Sequence, residues 1–305
     1  MSELRIPEST SFFSVVIPVY NSLSYLKKSL PSILESDTTV PEVVVVDNGS
    51  TDGTDEWLKE AYPYILFRRF PSNRGFSRAV NEGIKLSSGK YILVINADVV
   101  LEKGFFSLFR QKITRATQVG MWQPLILYPE GNLVYSRGLY ISPARRFYNL
   151  GEGELCGEER EREIFGPAGC CALYKRELLE EVKIGEEYFD EDFFFLLEDF
   201  DLAWRARKRG WKAVYYPGVK AYHWGRVTFS SRFRQYLSFR NRYLLLAKNE
   251  RLSEFLQDFP AWFPYEIVRC PFFLFYNPYS IRAYREVIQL LPRMRKKREW
   301  IKKYR

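Results

Sequence analysis

Residues 91–100 read YILVINADVV, an apolar run that breaks at Asn96-Ala97-Asp98 and then resumes. Its first five residues have the length and β-branched content of a buried strand, and a carboxylate just past the end of such a strand requires a hydrogen-bond partner, a cation or water. Two earlier stretches follow the same plan: FSVVIPVYN (13–21) and VPEVVVVDNGSTDGT (40–54) are short β-branched runs whose C-terminal ends meet polar residues.

The segments between these runs read as helices. Leu26, Leu30 and Ile33 or Leu34 share a helical face after the first run. Trp57, Leu58 and Ala61 do so after the second, with Thr54 as N-cap. In GFSRAVNEGIKLSSG, Phe76, Val80 and Ile84 lie four apart, and the helix is expected to stop at Gly89. YPYILFRRF (62–70) supplies a further strand. Alternating strands and helices with near-continuous apolar strands predict an α/β fold with a parallel sheet covered on both faces. Ligands of such sheets bind in the crevice beyond the carboxyl ends of the strands, where Asn21, Asp47, Asn48, Ser50, Asn96 and Asp98 gather. The stretch from Asp47 to Ser50 also reads as an Asx-capped turn, but three polar strand ends in one sheet favour a ligand site.

The 305 residues suffice for one large domain with an appendage, and 46% hydrophobic with 17% aromatic content excludes disorder. The net charge of +9 is unevenly placed. Residues 226–305 hold 18 Lys/Arg against 6 Asp/Glu, a net +12, so residues 1–225 carry −3. Four cysteines (Cys156, Cys170, Cys171, Cys270) show no metal-type spacing, and the N-terminus lacks the basic start and apolar core of a secretory leader. Both features predict a reducing, cytoplasmic setting. The longest apolar candidate, WFPYEIVRCPFFLFYNPY, is interrupted by Glu266, Arg269 and three prolines and does not read as a membrane span.

Residues 121–165 read as loops and short strands, with an exposed, mobile loop in the charged run GEGELCGEEREREIFG. From Gly166, GPAGCCALYKRELLEEV reads as a strand into a helix. LLEDFDLAWRARKRGWKAVYYPG reads as a helix buried through Leu202, Ala203 and Ala206, ended by Gly210 and followed by a strand.

With one histidine, His223, the chain cannot hold a two-histidine metal site, and it has no GxSxG elbow, no GxxxxGK phosphate loop and no GxGxxG after the first strand. Hydride transfer on a dinucleotide fold and P-loop chemistry are therefore not expected. What remains is a carboxylate-rich site. Asp47 suits a base or ribose, and Asp98 suits a hard cation bridging a diphosphate. Glu198, Asp199 and Asp201 open a helix, where acids complement the helix dipole. Two adjacent carboxylates after the aromatic stretch YFDEDFFFLL also fit a partly desolvated general base. His223, between Tyr222 and Trp224, fits core packing as well as ligation.

Seven stretches in order, SVVIPVYN, VVVVDNGSTDGT, NRGFSRAVNEGI, YILVINADVV, GPAGCCALYKRELLEEV, FDEDFFFLLEDFDLAWRARKRGW and YH, resemble glycosyltransferase family 2, inverting enzymes of the GT-A fold that include bacterial rhamnosyltransferases. They span about residues 14–223. The resemblance implies a glycosyltransferase domain over 1–225, with a nucleotide-binding half to about 120 and an acceptor-binding part over 121–225, followed by a basic, aromatic, helical extension over 226–305. It implies that Pro18, Tyr20, Asn21, Asp47, Asn48, Ser50, Gly75, Asn96, Ala97 and Asp98 form the nucleotide site, with Asp47 facing the pyrimidine and Arg74 or Arg78 reaching phosphate. Asn96-Ala97-Asp98 takes the place of the family's DxD motif, with Asn96 in place of the first acid. Asp98 and His223 would then hold Mn²⁺ or Mg²⁺, Asp199 would be the general base, and Gly169, Cys170 and Glu198 would meet the acceptor. The implied reaction moves a sugar, rhamnose first and galactofuranose, glucose or another hexose as alternatives, from a dTDP- or UDP-linked donor to a saccharide or lipid-linked saccharide. A non-catalytic sugar-nucleotide or membrane-surface binding module is the alternative from another class.

Beyond Gly225 the resemblance thins. Arginines alternate with aromatics and leucines, and RMRKKREWIKKYR closes the chain. This pattern suits an anionic membrane surface, with a packed helical appendage or homodimer surface as the other reading. No nucleic-acid recognition motif accompanies the charge, and nucleic acid is not an expected partner.

Overall fold

A computed structural model describes residues 11–38, 41–113, 118–225 and 229–303. The first ten residues, where a leader would begin, lie outside this set. The chain opens with β1 (Phe13–Val19), α1 (Leu23–Leu34), β2 (Glu42–Asp47), α2 (Thr54–Ala61), β3 (Leu66–Arg69), α3 (Phe76–Leu86) and β4 (Tyr91–Ile95). It continues through β5 (Val99–Leu101), α4 (Phe105–Ile113), β6 (Val119–Leu127), β7 (Val134–Ser136), β8 (Leu139–Ile141), β9 (Phe147–Asn149) and β10 (Arg162–Ile164). Then come β11 (Cys171–Lys175), α5 (Arg176–Val182), α6 (Glu198–Lys208) and β12 (Lys212–His223). Four helices close it: α7 (Ser231–Asn249), α8 (Leu252–Gln257), α9 (Phe259–Tyr276) and α10 (Ser280–Lys303).

The central sheet has the order β10-β12-β6-β11-β4-β1-β2-β3. Strands β4, β1, β2 and β3 run parallel, as their unbroken apolar runs predict, and β11 joins antiparallel to β4. Every residue of β4 is buried, because helices cover both faces of the sheet. The chain leaves β1 toward β2 on one side and returns through β4 on the other, so the strand order reverses at β1 and opens a crevice at the carboxyl ends.

The break in YILVINADVV now has a cause: the run serves two ladders. β4 pairs with β1 and β11, whereas β5 pairs with the end of β12, Val99 opposite His223. Asn96-Ala97-Asp98 is the corner between them, closed by the Val99 N–H donating to the Asn96 carbonyl at 3.2 Å.

Several expectations need correction. Val119–Leu127 is a nine-residue strand in the middle of the sheet, where loops and short strands were expected. Gln123-Pro124 hides its pattern: the Gln123 side chain is fully buried, accepting from the Ala168 N–H at 2.6 Å and donating to the Pro124 carbonyl at 2.8 Å. The charged run is exposed but pinned, since buried Arg137 pairs with Glu154 and, at 2.7 Å, with Glu159. Thr54 is the first residue of α2, not its cap; Gly53 takes the cap position at φ +83°, the Thr54 hydroxyl bonds Asp52, and Ala61 is exposed. α3 ends at Leu86 instead of Gly89, since Ser87 turns its hydroxyl back to the Ile84 carbonyl.

The C-terminal segment packs against the acidic stretch before α6. Arg240, Arg242, Lys248 and Lys297 are all buried, as are Met294 and Ile301 of the closing basic run. Much of the positive charge in residues 226–305 is therefore satisfied inside the molecule.

Candidate active site

The carboxyl ends of β1, β2 and β4 form the floor of a cleft of about 120 Å³. Pro18, Val19 and Tyr20 line it from β1, Asn48 from β2, and Asn96, Ala97 and Asp98 from the β4–β5 corner. Asn73, Gly75 and Phe76 close one side, and Phe194, Phe195 and Phe229 form an aromatic wall.

Asn48 fixes the loop before α3. Its amide donates to Asn73 at 3.0 Å and to the Gly75 carbonyl at 3.1 Å, while its carbonyl accepts from the Arg74 N–H at 2.8 Å. Gly75 is required twice over: its φ is +92°, and a Cβ there would lie 2.7 Å from Phe194. The Phe76 N–H reaches the Phe194 carbonyl at 2.6 Å, joining this loop to the aromatic wall.

Four expected nucleotide contacts do not line the cleft. Asp47 is fully buried; one oxygen accepts from the Ser50 N–H at 2.9 Å in the turn, and Oδ2 faces Arg69 Nε at 3.4 Å without a hydrogen bond among the described residues. Ser50 accepts from the Asn21 N–H at 2.9 Å, and Asn21 accepts from the Thr51 N–H at 2.8 Å, so this pair ties the β1 and β2 ends together. Arg78 pairs with Glu191 at 2.6 Å across to the acidic stretch. Arg74 is exposed beside the cleft.

Asp98 and His223 meet. The imidazole Nε2 lies 3.1 Å from the Asp98 carboxylate, both side chains are buried, and the Tyr135 ring packs edge-on at 4.3 Å. Burial opposes a charged imidazole, but the neighbouring Cys170 and Asp98 side chains together outweigh it and raise the His223 pKa. The neighbouring Cys170 thiol is itself pushed up by burial, so at neutral pH it offers a hydrogen bond and not a charge. His223 Nδ1 is buried and makes no hydrogen bond among the described residues. The Asp98 carboxylate and His223 Nε2, 3.1 Å apart, are donors that suit a divalent cation once the cation displaces the imidazole proton. Among the described residues there is no cluster of three or more acidic, histidine or cysteine ligands.

The loop from Gly166 to Cys170 links this pair to the acids of α6. The Cys170 carbonyl accepts from the Asn96 N–H at 2.9 Å, and the Gly169 N–H donates to Asp199 Oδ2 at 3.0 Å. The other Asp199 oxygen accepts from the Phe200 N–H at 2.8 Å. Burial raises the pKa of both Glu198 and Asp199, opposed at Asp199 by these N–H groups. Glu198 lies deeper, its Oε2 has no partner among the described residues, and Asp199 repels its ionisation. The pair therefore holds its proton on Glu198 and its charge on Asp199, which stays partly exposed.

Sequence reasoning missed the residues that brace the segment from Tyr188 to Leu197, which leads into α6. Asn81 of α3 donates to the Phe189 carbonyl at 2.8 Å and accepts from the N–H groups of Tyr188 and Phe189. Asn241 of α7 donates to the carbonyls of Phe193, Phe195 and Leu196 at 2.7–2.9 Å. Phe194, Leu196 and Leu197 all take positive φ, a strained run that such clamps hold in place. Lys248 bridges Asp190 at 2.6 Å and Asp201 at 2.8 Å with no exposure, and Lys297 adds Asp190 at 2.5 Å. No local pattern marks these partners.

The sequence model of the family described as "Glycosyl transferase family 2" matches residues 14–183. The chain belongs to glycosyl transferase family 2. Among relatives, it is 27% identical over 238 residues to an N-acetylglucosaminyl-diphospho-decaprenol L-rhamnosyltransferase of Mycobacterium tuberculosis, covering 70% of this chain and 76% of that one. It is 26% identical over 250 residues to a low-salt glycan biosynthesis hexosyltransferase of Haloferax volcanii, covering 76% and 74%. Among solved structures, TarS 1–349 of S. aureus superposes with a TM-score of 0.59 at 19% identity, covering 96% of this chain and 89% of that one. GalNAc-T7, solved with UDP, GalNAc and Mn²⁺, gives 0.61 at 14%, covering 88% and 58%. The family 2 chain has the GT-A fold, a mostly parallel sheet flanked by helices, with a helical C-terminal region.

Proposed function

We propose that this family 2 glycosyltransferase moves a sugar, with inversion, from a dTDP- or UDP-linked donor to a saccharide or lipid-linked saccharide acceptor at a membrane surface. Rhamnose is the first choice of sugar, supported by the mycobacterial relative. The observation that carries the reading is the chain of contacts from the Asp98–His223 pair through the Asn96 N–H, the Cys170 carbonyl and the Gly169 N–H to Asp199, which joins a cation-type donor pair at the cleft floor to a raised carboxylate behind it.

Tyr20, Asn48, Gly75 and the Asn96–Asp98 corner hold the nucleoside diphosphate. Asp47, Asn21 and Ser50 set the backbone of those strand ends. At about 120 Å³ the cleft encloses only part of a nucleotide sugar, since ligand pockets commonly offer several hundred, so the sugar lies toward the open mouth. Asp98 and His223 would hold Mn²⁺ or Mg²⁺, which neutralises charge developing on the departing diphosphate. Asp199 removes the proton from the acceptor hydroxyl. The hydroxyl oxygen bonds to the anomeric carbon as the bond to the diphosphate oxygen breaks, and that electron pair leaves with the nucleoside diphosphate. One displacement from the opposite face inverts the centre. Gly169 aims Asp199, and neutral Glu198 keeps it the single charge of the pair.

Thermal shift with dTDP, UDP, GDP and CMP, each with Mn²⁺ and with EDTA, tests the donor site. A nucleotide at 100 times its Kd stabilises the fold by about 2.7 kcal/mol. The expected result is a shift with dTDP or UDP that requires the cation and is lost in Asp98→Ala. A shift indifferent to both EDTA and Asp98→Ala removes the cation site from the reading.

A further inference from the structure

The outer surface of α9 is the largest feature that the cleft does not use. Phe263, Ile267, Val268, Phe272, Phe275 and Tyr276 are 42–80% exposed along it. α9 has two charged residues, and both turn inward: Glu266 engages Arg242 and the Tyr243 hydroxyl, and the Arg269 guanidinium lies 4.7 Å over the Phe239 ring. At 1.5 Å per residue these 18 residues extend about 27 Å with no charge on the outer face. A water-facing helix has the reverse arrangement, charge outward and apolar groups inward. Isolated apolar side chains on a surface need no explanation, but a contiguous set of this length does.

The surroundings say what covers it. A cavity of about 820 Å³ between α7, α8, α9 and α10 has an apolar lining that includes Leu246, Trp262 and Leu291, with Arg251, Arg295 and Arg298 around it. Arg145 and Arg242 in the same cavity are neutralised by Glu250 and Glu266, so those three cations are surplus. A second groove of about 450 Å³, lined by Leu196, Arg234, Phe239 and Phe272, runs between α7 and α9 to the loop that precedes Asp199. No helix among the described residues is long and apolar enough to cross a membrane, and α9 contains Pro264 and Pro271.

We infer that α9 is a membrane-docking helix, lying along a bilayer that carries anionic lipid, with its charge-free face in the interface and the surplus cations of α8 and α10 on lipid phosphates. This rests on the proposed transfer to a lipid-linked acceptor for its purpose, since it sets the Asp199 loop beside the layer where such an acceptor resides. Only part of the closing basic run contributes, because Lys297, Met294 and Ile301 are turned into the protein while Arg295 and Arg298 line the cavity.

Flotation of the full chain with phosphatidylcholine vesicles, with and without phosphatidylglycerol, tests the inference. Wild type is expected to float with the anionic vesicles. Val268→Asp/Phe275→Asp, at positions 71% and 80% exposed, should weaken partitioning about ten-fold or more on these vesicles. Arg251→Glu/Arg295→Glu should weaken it about ten-fold on anionic vesicles alone. Wild type that stays with the aqueous phase, or an aspartate variant that floats as wild type does, overturns the inference. So does light scattering that shows the aspartate variant turning a dimer into a monomer while flotation is unchanged. Transfer to a short water-soluble saccharide is expected at wild-type level in the aspartate variant. Absent transfer in a wild type that floats strikes the transferase reading and leaves the docking helix standing.

Discussion

The floor and the wall of the cleft are built by different means. The floor consists of strand ends whose positions follow from the parallel ladders β4-β1-β2, and its polar side chains accept from backbone N–H groups of the same or the neighbouring strand end. The wall, from Asp190 to Asp199, contains three non-glycine residues at positive φ and is held by Asn81 from one side and by Asn241, Lys248 and Lys297 from the other. A floor set by sheet geometry tolerates change around it, whereas a strained wall set by buried ion pairs depends on each brace. On the proposed function, donor binding belongs to the first and acceptor activation to the second.

That division can be broken by mutation. Asp199→Asn removes the base and should lower kcat by about 10²–10⁴-fold while nucleotide affinity stays within about two-fold. An equal loss of donor affinity would merge wall with floor. Because burial raises the Asp199 pKa, the acid limb of the rate profile should lie above the ordinary aspartate value of about 3.9. Lys248→Met leaves Asp190 and Asp201 without their shared cation and should cost about 3–5 kcal/mol in denaturant unfolding, with kcat falling more than donor affinity.

Glu198→Gln sharpens the comparison through pH. An acid whose folded pKa is raised keeps its proton in the folded state, so its contribution is fully present below the unfolded value and is lost as pH rises toward the folded one. Wild type thus loses up to about 1.4 kcal/mol per pH unit above about pH 4.3 from this group. Gln carries no such dependence, and the melting-temperature advantage of the variant should widen from about pH 5 to about pH 8. A constant gap would mean that Glu198 is ionised in the fold. Arg69→Ala is the smallest effect. The guanidinium is 38% exposed, so its loss beside Asp47 should weaken nucleotide binding only about three-fold and leave kcat alone.

The floor was legible in the sequence because apolar β-branched runs ending in Asn and Asp report strand, strand end and crevice together. The Asp98–His223 pair spans 125 positions, and only the family resemblance suggested it. The resemblance implied Arg74 or Arg78 at phosphate, and no local pattern reports that Arg78 already holds Glu191, 113 positions away. β6 was hidden by Gln123-Pro124, whose polar groups are satisfied by a loop 45 residues on. The closing basic segment misled for a related reason: a solvated charge run and one half-buried on distant acids have the same composition. Lys297 and Lys248 differ from their exposed neighbours only in facing Asp190.

The ladder between β5 and β12 has a temporal consequence. Asp98 lies one position before Val99, which is in register with His223, and β12 is the last strand the sheet receives. During synthesis the nucleotide-facing strand ends are complete once Asp98 has emerged, yet the cation pair does not exist until residue 223 has been added and has found its register. A slip of one residue would turn the imidazole to the opposite face of the sheet. On the proposed cation site, the nascent chain would lack its metal-holding pair until the α/β layer closes.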